Sequence, residues 1–458
     1  MIRSAQRRAR GFTLVELMVS LVAGVIIAIA VVGLAKAATT SFHEQVRLTT
    51  VEQSVRNAAN RLRYDLTKVS FMGTGNIKLA SGPNVPYGHR VAVNGSGQSG
   101  DRYGTMTKDL QGIRIRVGKG TLPTQGTLGL ATNNGLSPDE LLVVGNMTTD
   151  DQYVGTWEPS GGSCGGGQIT LRAAADPANA RLINGSAQNV INAFTPAPGM
   201  TFLARVVDEA GCQHFVTVNQ AAAPTATGPN AYATIDLCNG NDNTSVLWAH
   251  LPDPTDTRLA GPKGTGCGVD PLGTVRISPL HRVRWFLAKN TDPLLDPPPA
   301  IGDADSMFML YRGFEDASGT LIPQLTQVVA EYAIDLKFGI AVDDSSQVPP
   351  ANIRVFDLDS DTQGEGGGGP IDLWTNNASA TTAGPGQPGP QRIRPVKFRV
   401  STRAPLADRT ANLSLLPGTP YITRYCLEAA APATCTKFAR VRTIVSEVAL
   451  INQARMAY

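Results

Sequence analysis

Residues 11–16 read Gly11-Phe12-Thr13-Leu14-Val15-Glu16, and LMVSLVAGVIIAIAVVGLA follows from Leu17 to Ala35. No charged side chain interrupts those last 19 residues. At about 1.5 Å per residue a helix of that length rises about 28 Å, the thickness of one bilayer core. Lipid offers backbone groups no hydrogen-bond partner, so the segment is predicted to be a transmembrane helix over residues 12–36. One acid, Glu16, lies near its start, and an intramembrane carboxylate is costly and points to function. A secretory signal peptide is the plainer alternative, and Ala35-Lys36-Ala37 resembles its small-residue cleavage site. The apolar run is longer than the usual h-region, and such a peptide has no use for the acid.

The chain around this segment has 458 residues and a net charge of +3. Residues 1–11 hold Arg3, Arg7, Arg8 and Arg10 and no acid, so without this leader the remainder is slightly negative. The basic balance therefore speaks for orientation, with a cytoplasmic N-terminus and everything after about residue 37 across the inner membrane. It leaves no general footprint for nucleic acid, and none is predicted as a partner. Gly (47) and Pro (31) exceed average usage but fall short of a collagen-like or disordered composition.

The order basic leader, GFTLVE, apolar run resembles the type III signal of type IV pilins and type II secretion pseudopilins. The resemblance implies that a prepilin peptidase cuts between Gly11 and Phe12 and N-methylates Phe12. It makes Glu16 the fifth mature residue, whose carboxylate neutralises an N-terminal amine during filament assembly. It also implies an α+β fold, a ladle with one long helix packed on antiparallel β-sheets. Two features depart from subfamily patterns. Many major pilins carry Pro where this chain has Gly33, and the K-type tip pseudopilins lack the acid that is present here.

Beyond the apolar run, Val51, Val55, Ala58, Leu62, Leu66 and Val69 recur at spacings of three and four. This is one stripe of an amphipathic helix over residues 37–72, with Arg47, Glu52, Arg56, Arg61 and Lys68 on a solvated face. One helix is predicted from Phe12 to about Ser70, stopped by Gly73-Thr74-Gly75-Asn76.

From residue 77 short β-like runs alternate with turn clusters. Examples are Glu140–Val144, Gln168–Arg172, His214–Val218, Arg282–Leu287 and Met307–Tyr311. Residues 77–275 read as a loop-rich β region, insertion-like and of unknown role. Residues 276–458 read as a more regular β-sheet head. There Ile334, Leu336 and Phe338 alternate with Asp335 and Lys337, and Val396, Phe398 and Val400 with Lys397 and Arg399. Val441–Ile451 reads as a strand or a short helix. The Gly/Pro-rich run 362–391 reads as a flexible surface loop. The order of Val328–Glu331, Ile334–Gly339, Arg394–Arg403 and a terminal strand from Arg440 resembles the PilW family of minor pilins, related to the J-type minor pseudopilins. That resemblance covers roughly residues 12–75 and 276–455.

Six cysteines, Cys164, Cys212, Cys238, Cys267, Cys426 and Cys435, fall on the oxidising side of the membrane. A Cys426–Cys435 disulfide is favoured, and no CxxC or Cys/His spacing supports zinc. Asp357, Asp359 and Asp361 alternate as ligands of a Ca²⁺ loop do, but Thr362 and Gly368 stand where an EF-hand needs Gly and Glu, so a solvated turn is the plainer reading. Gly161–Gly165 matches G-x-S-x-G without the strand-to-helix setting of a nucleophile elbow, and no Walker A sequence occurs. The expectation is a non-enzymatic minor pilin, displayed on an extracellular pilus. Its implied partners are the prepilin peptidase, other minor pilins, the major pilin and a PilY-class tip adhesin. A J-type pseudopilin of type II secretion and a pilus-displayed adhesin are the alternatives.

Overall fold

A computed structural model describes residues 13–76, 89–90, 110–118, 136–158, 165–172, 187–197, 199–209, 213–222, 232–238, 272–289, 308–343, 353–358, 370–375, 389–407, 424–427 and 437–454. The chain divides into two compact units, Met1–Gln53 and Ser54–Tyr458. Helix α1 (Leu14–Thr67) contributes to both. In the first unit it is the one described element. It passes Gly33 without interruption, and its large apolar side chains from Leu14 to Leu34 are exposed. By length and composition it is able to cross a membrane.

In the second unit the chain order is β1 (His89–Arg90), β2 (Ile113–Arg116), β3 (Glu140–Gly145), β4 (Tyr153–Glu158), β5 (Gly165–Arg172) and α2 (Ala187–Phe194). Next come β6 (Phe202–Val207), β7 (Gln213–Ala222), β8 (Tyr232–Cys238), β9 (Thr274–Lys289), β10 (Phe308–Glu315) and β11 (Gln327–Glu331). The last elements are β12 (Ala333–Asp343), β13 (Ile353–Phe356), α3 (Pro370–Thr375), β14 (Ile393–Arg403), β15 (Arg424–Cys426), β16 (Phe438–Ala449) and α4 (Ile451–Ala454). Among the described residues all strand pairs are antiparallel except the short β1–β7 contact. The class is α+β, a long helix followed by antiparallel β-structure.

The first core surrounds the end of α1. Val55, Ala58, Leu62, Leu66 and Val69, five positions of the expected stripe, are buried against β2, β3, the second half of β9, β10, and the sheet β13-β12-β14-β16-β15. Val51, the stripe's first position, is buried as well. Three and four residues from Leu62 and Val69 lies an acid, Asp65, with no exposed surface. It accepts from Arg312 Nε at 2.6 Å and Nη2 at 3.1 Å, and from Trp285 Nε1 at 2.9 Å. A carboxylate loses its hydration on burial, and here a forked guanidinium and an indole N–H replace it. The helix stops at Thr67, a turn before the glycines. Asn452 of α4 donates to the carbonyls of Thr67 and Val69, and Ser70 takes φ 58°. Gly145 of β3 meets this helix end, where any Cβ would collide with the Lys68 carbonyl.

The second core is a closed barrel. β9 pairs through Arg276 and Ile277 with β4 on one edge and β6 on the other. The ring β9-β4-β5-β8-β7-β6 then returns to β9. Tyr153, Trp157, Ile169, Leu171, Ala204, Val206, Val216, Val218, Ile235 and Ile277 fill it, and Phe194 of α2 packs on Tyr153 with ring centroids 5.7 Å apart. β9 belongs to both cores. After Ile277 it leaves β4, and from His281 it pairs with β3. Pro279, which lacks an N–H, lies in that interval, where β4 has ended and β3 has not begun. The division expected at 275/276 therefore runs through a strand common to both blocks.

The structure buries charged residues of β12 and overturns one expectation about exposure. Asp335 and Lys337 of β12 are buried although they alternate with apolar residues: Asp335 accepts from Arg399 at 2.7 Å and Lys337 donates to Asp139 at 2.9 Å. Within the run 362–391, expected to be a surface loop, α3 buries Ile371 and Trp374 in the first core. These are the only two large apolar side chains of that run besides Leu373, and their i, i+3 spacing puts them on one helical face.

Asp65→Ala is expected to cost about 3–5 kcal/mol, because it strands a buried guanidinium. Urea unfolding of the detergent-solubilised full chain measures this. Asp65→Leu combined with Arg312→Met removes both charges and is expected to recover most of the loss.

A second expectation concerns pH. His281 lies where β9 passes from barrel to helix core, and it is fully enclosed. Its Nε2 donates to the Ala193 carbonyl at 2.9 Å, so Nδ1 carries no proton, and among the described residues it has no partner. Burial, aided by the Arg312 charge, pushes its pKa from 6.5 down to about 4. An unfolded chain takes up this proton below about pH 6.5 and the folded chain does not, so this contribution to stability is lost as pH falls from 6.5 to 4. Asp139 has the opposite sign. Burial pushes it from 3.8 up to about 6 despite Lys337, so it favours the folded state as pH falls through 6. His281→Gln keeps the donor and removes the titration. Between pH 7 and pH 4 its stability is expected to improve relative to wild type by about 3 kcal/mol. Melting curves across that range test the expectation, and a constant difference would refute it.

Candidate assembly site at the start of α1

Thr13 precedes the first helical residue and Glu16 lies three positions on, the spacing of a capping box. The Thr13 N–H donates to Glu16 Oε2 at 3.0 Å. The Thr13 hydroxyl donates to the same oxygen at 3.0 Å. In return the Glu16 N–H donates to Thr13 Oγ1 at 3.3 Å, and Leu17 N–H reaches the Thr13 carbonyl at 3.2 Å. Helix N-termini leave backbone donors without partners, and a carboxylate there also opposes the helix dipole. Glu16 is thus engaged in its own chain through Oε2. Among the described residues no bond to Oε1 is formed, so this oxygen is open to a further donor.

The neighbours of Glu16 are apolar and exposed, with Leu14 at 75%, Val15 at 67% and Leu17 at 58%. They offer a second helix a greasy surface with one charge in it. Gly11 and Phe12, the expected cleavage and methylation residues, lie outside the described residues.

The other expected sites do not gather around this one. Asp357 is exposed at the end of β13. It accepts from Lys397 Nζ at 2.8 Å and from the Leu358 N–H at 2.9 Å, and the Lys397 hydrogen bond, with that amide, holds its carboxyl below the ordinary range. Asp359 and Asp361 lie outside the described residues, among which no group of three or more His, Cys, Asp or Glu converges as metal ligands would. Cys426 is buried on β15 and disulfide-bonded. Cys435, its expected partner, is outside the described residues. Asp65 was not singled out from sequence. Its signal was present, an acid in register with the apolar stripe.

Residues 6–32 match the family model of the prokaryotic N-terminal methylation motif. The chain therefore carries a type IV pilin-like prepilin N-terminus, which implies processing by a prepilin peptidase and pilin partners in general. No curated protein and no solved structure matches the chain.

Thr13→Val removes the hydroxyl and is expected to loosen the first turn. Backbone amide exchange at Glu16 and Leu17, measured in micelles, is expected to rise several-fold, as for the loss of a cap worth about 1 kcal/mol. Unchanged exchange would mean that the capping box contributes nothing to the first turn.

Proposed function

We propose that the chain is a low-copy minor pilin of a type IV pilus, similar to PilW, which primes assembly at or near the tip. The methylation motif at residues 6–32 carries this reading. The proposed order is insertion with the N-terminus in the cytoplasm, cleavage after Gly11, methylation of Phe12, and extraction into a filament. Glu16 supplies the assembly contact. Its Oε1 accepts an N-terminal ammonium from the same or a neighbouring subunit while Oε2 keeps the Thr13 cap. Pairing the two charges in an apolar bundle selects one register, since either alone costs several kcal/mol.

The head supports few copies. It contains a six-stranded barrel besides the sheets packed on α1, and a bulky head repeats poorly along a thin fibre. The same barrel favours a second role for the protein, display of a binding module at the tip. No catalytic role is proposed. A J-type pseudopilin of type II secretion shares the N-terminal features, and deletion of the gene separates the two: loss of pili supports the pilin, loss of secretion alone the pseudopilin.

Mass spectrometry of the mature protein is expected to show N-methylated Phe12 as its first residue. Gly11→Asp is expected to retain the leader, and Glu16→Ala to be processed yet poorly incorporated. A mature N-terminus elsewhere, such as one following Ala37, would overturn the assignment.

A further inference from the structure

Outside the barrel, three buried polar atoms without partners lie on adjacent strands. They are Arg205 Nε on β6, Gln213 Oε1 on β7 and Ser278 Oγ on β9. Their register brings them together. Arg205 is directly opposite Ser278 across β6–β9 and directly opposite Phe215 across β6–β7. Directly opposed side chains share a face with Cβ atoms about 5 Å apart, and Gln213, two residues from Phe215, is within diagonal reach of a long side chain. Ala204 and Val206, the neighbours of Arg205 along β6, point into the barrel, so Arg205 points outward. Arg276, two residues from Ser278, is on the same outer face and exposed.

The chemistry of this set is one-sided. Ser278 has no exposed surface. Among the described residues neither arginine forms an ion pair or hydrogen bond. Burial lowers the Arg205 pKa to about 10, and among the described residues no carboxylate acts on it. A buried cation with no anion beside it is unfavourable, and a hydroxyl sealed from water adds its own desolvation cost. An amide side chain presents either its oxygen or its NH₂ after a flip, so Gln213 joins as a donor.

We propose that Arg205, Ser278 and Gln213, with Arg276 at the rim, form a binding site for a carboxylate on the outer face of the barrel. A guanidinium fork matches the two oxygens of a carboxylate, and the hydroxyl and amide satisfy their remaining lone pairs. The half-buried Arg205 balances a single negative charge. A phosphate dianion would bring an excess charge, and among the described residues of this set the exposed Arg276 is the one cation left to meet it.

The test uses the full chain in detergent micelles at pH 7 and constant ionic strength, with acetate, inorganic phosphate or chloride as the probe. Acetate is expected to raise the melting temperature saturably and chloride is not. Arg205→Gln is expected to abolish the acetate effect, and Ser278→Ala to weaken acetate binding about tenfold. If Arg205→Gln does not fold, Ser278→Ala and Arg276→Gln carry the test through their acetate dependence. Phosphate binding more tightly than acetate would overturn the carboxylate assignment. Equal effects of all three anions, or none from any, would overturn the site itself.

Discussion

Asp65 sits with no exposed surface at the end of α1, and the rest of the head is arranged to satisfy it. Both carboxylate oxygens are occupied, Oδ1 by one arm of Arg312 and Oδ2 by its other arm and by Trp285. The partners come from β9 and β10, paired with Trp285 opposite Arg312. A one-turn slip of the helix along these strands would move the acid by about 5.4 Å. That breaks all three bonds and leaves two buried charges apart. Apolar stripes tolerate sliding better, because one leucine replaces another at modest cost. The ion pair thus sets the axial position and rotation of residues 54–67 on the sheets, and the leucines supply most of the buried area.

β9 transmits that constraint. Its second half carries Trp285 and Val283 into the helix core, and its first half closes the barrel through Val275 and Ile277. The barrel is therefore not hung on the head by a linker. A strand shared by two cores cannot change register in one without turning side chains to the wrong face in the other. His281 lies in the shared stretch, enclosed, with one ring nitrogen committed to Ala193.

Local patterns were legible in the sequence, and non-local ones were not. The buried face of α1 followed from spacing alone, because a period of 3.6 needs no knowledge of the partner. The GFTLVE motif with its leader identified the N-terminus for the same reason: its features are contiguous. The burial of Asp335 and Lys337 is not legible locally, since a polar residue alternating with apolar ones reads as a solvent face until its partner from another strand is known. Their partners are Arg399 and Asp139, far off in sequence. Asp65 was hidden likewise, for nothing near it announces Arg312. Barrel closure depends on Arg276 and Ile277 pairing on both edges at once, which no single strand pattern encodes. Trp374 was concealed by the glycines and prolines around it, although its own size argued for burial.

Glu16 and Asp65, two of the four acids on α1, differ in whether they suit an external partner. Asp65 has both oxygens engaged by groups within the fold and no exposed surface, so an external donor does not reach it. Glu16 uses Oε2 for the Thr13 cap, and no described donor reaches Oε1. Its surroundings are exposed and apolar, so an approaching helix gains buried area and meets a carboxylate with capacity left. Attraction in a low dielectric strengthens as water is excluded, while the cap keeps the side chain in one rotamer before the partner arrives. The capping box therefore does more than start a helix. In the proposed assembly it would also orient the open oxygen beforehand, so that less side-chain freedom is lost on docking.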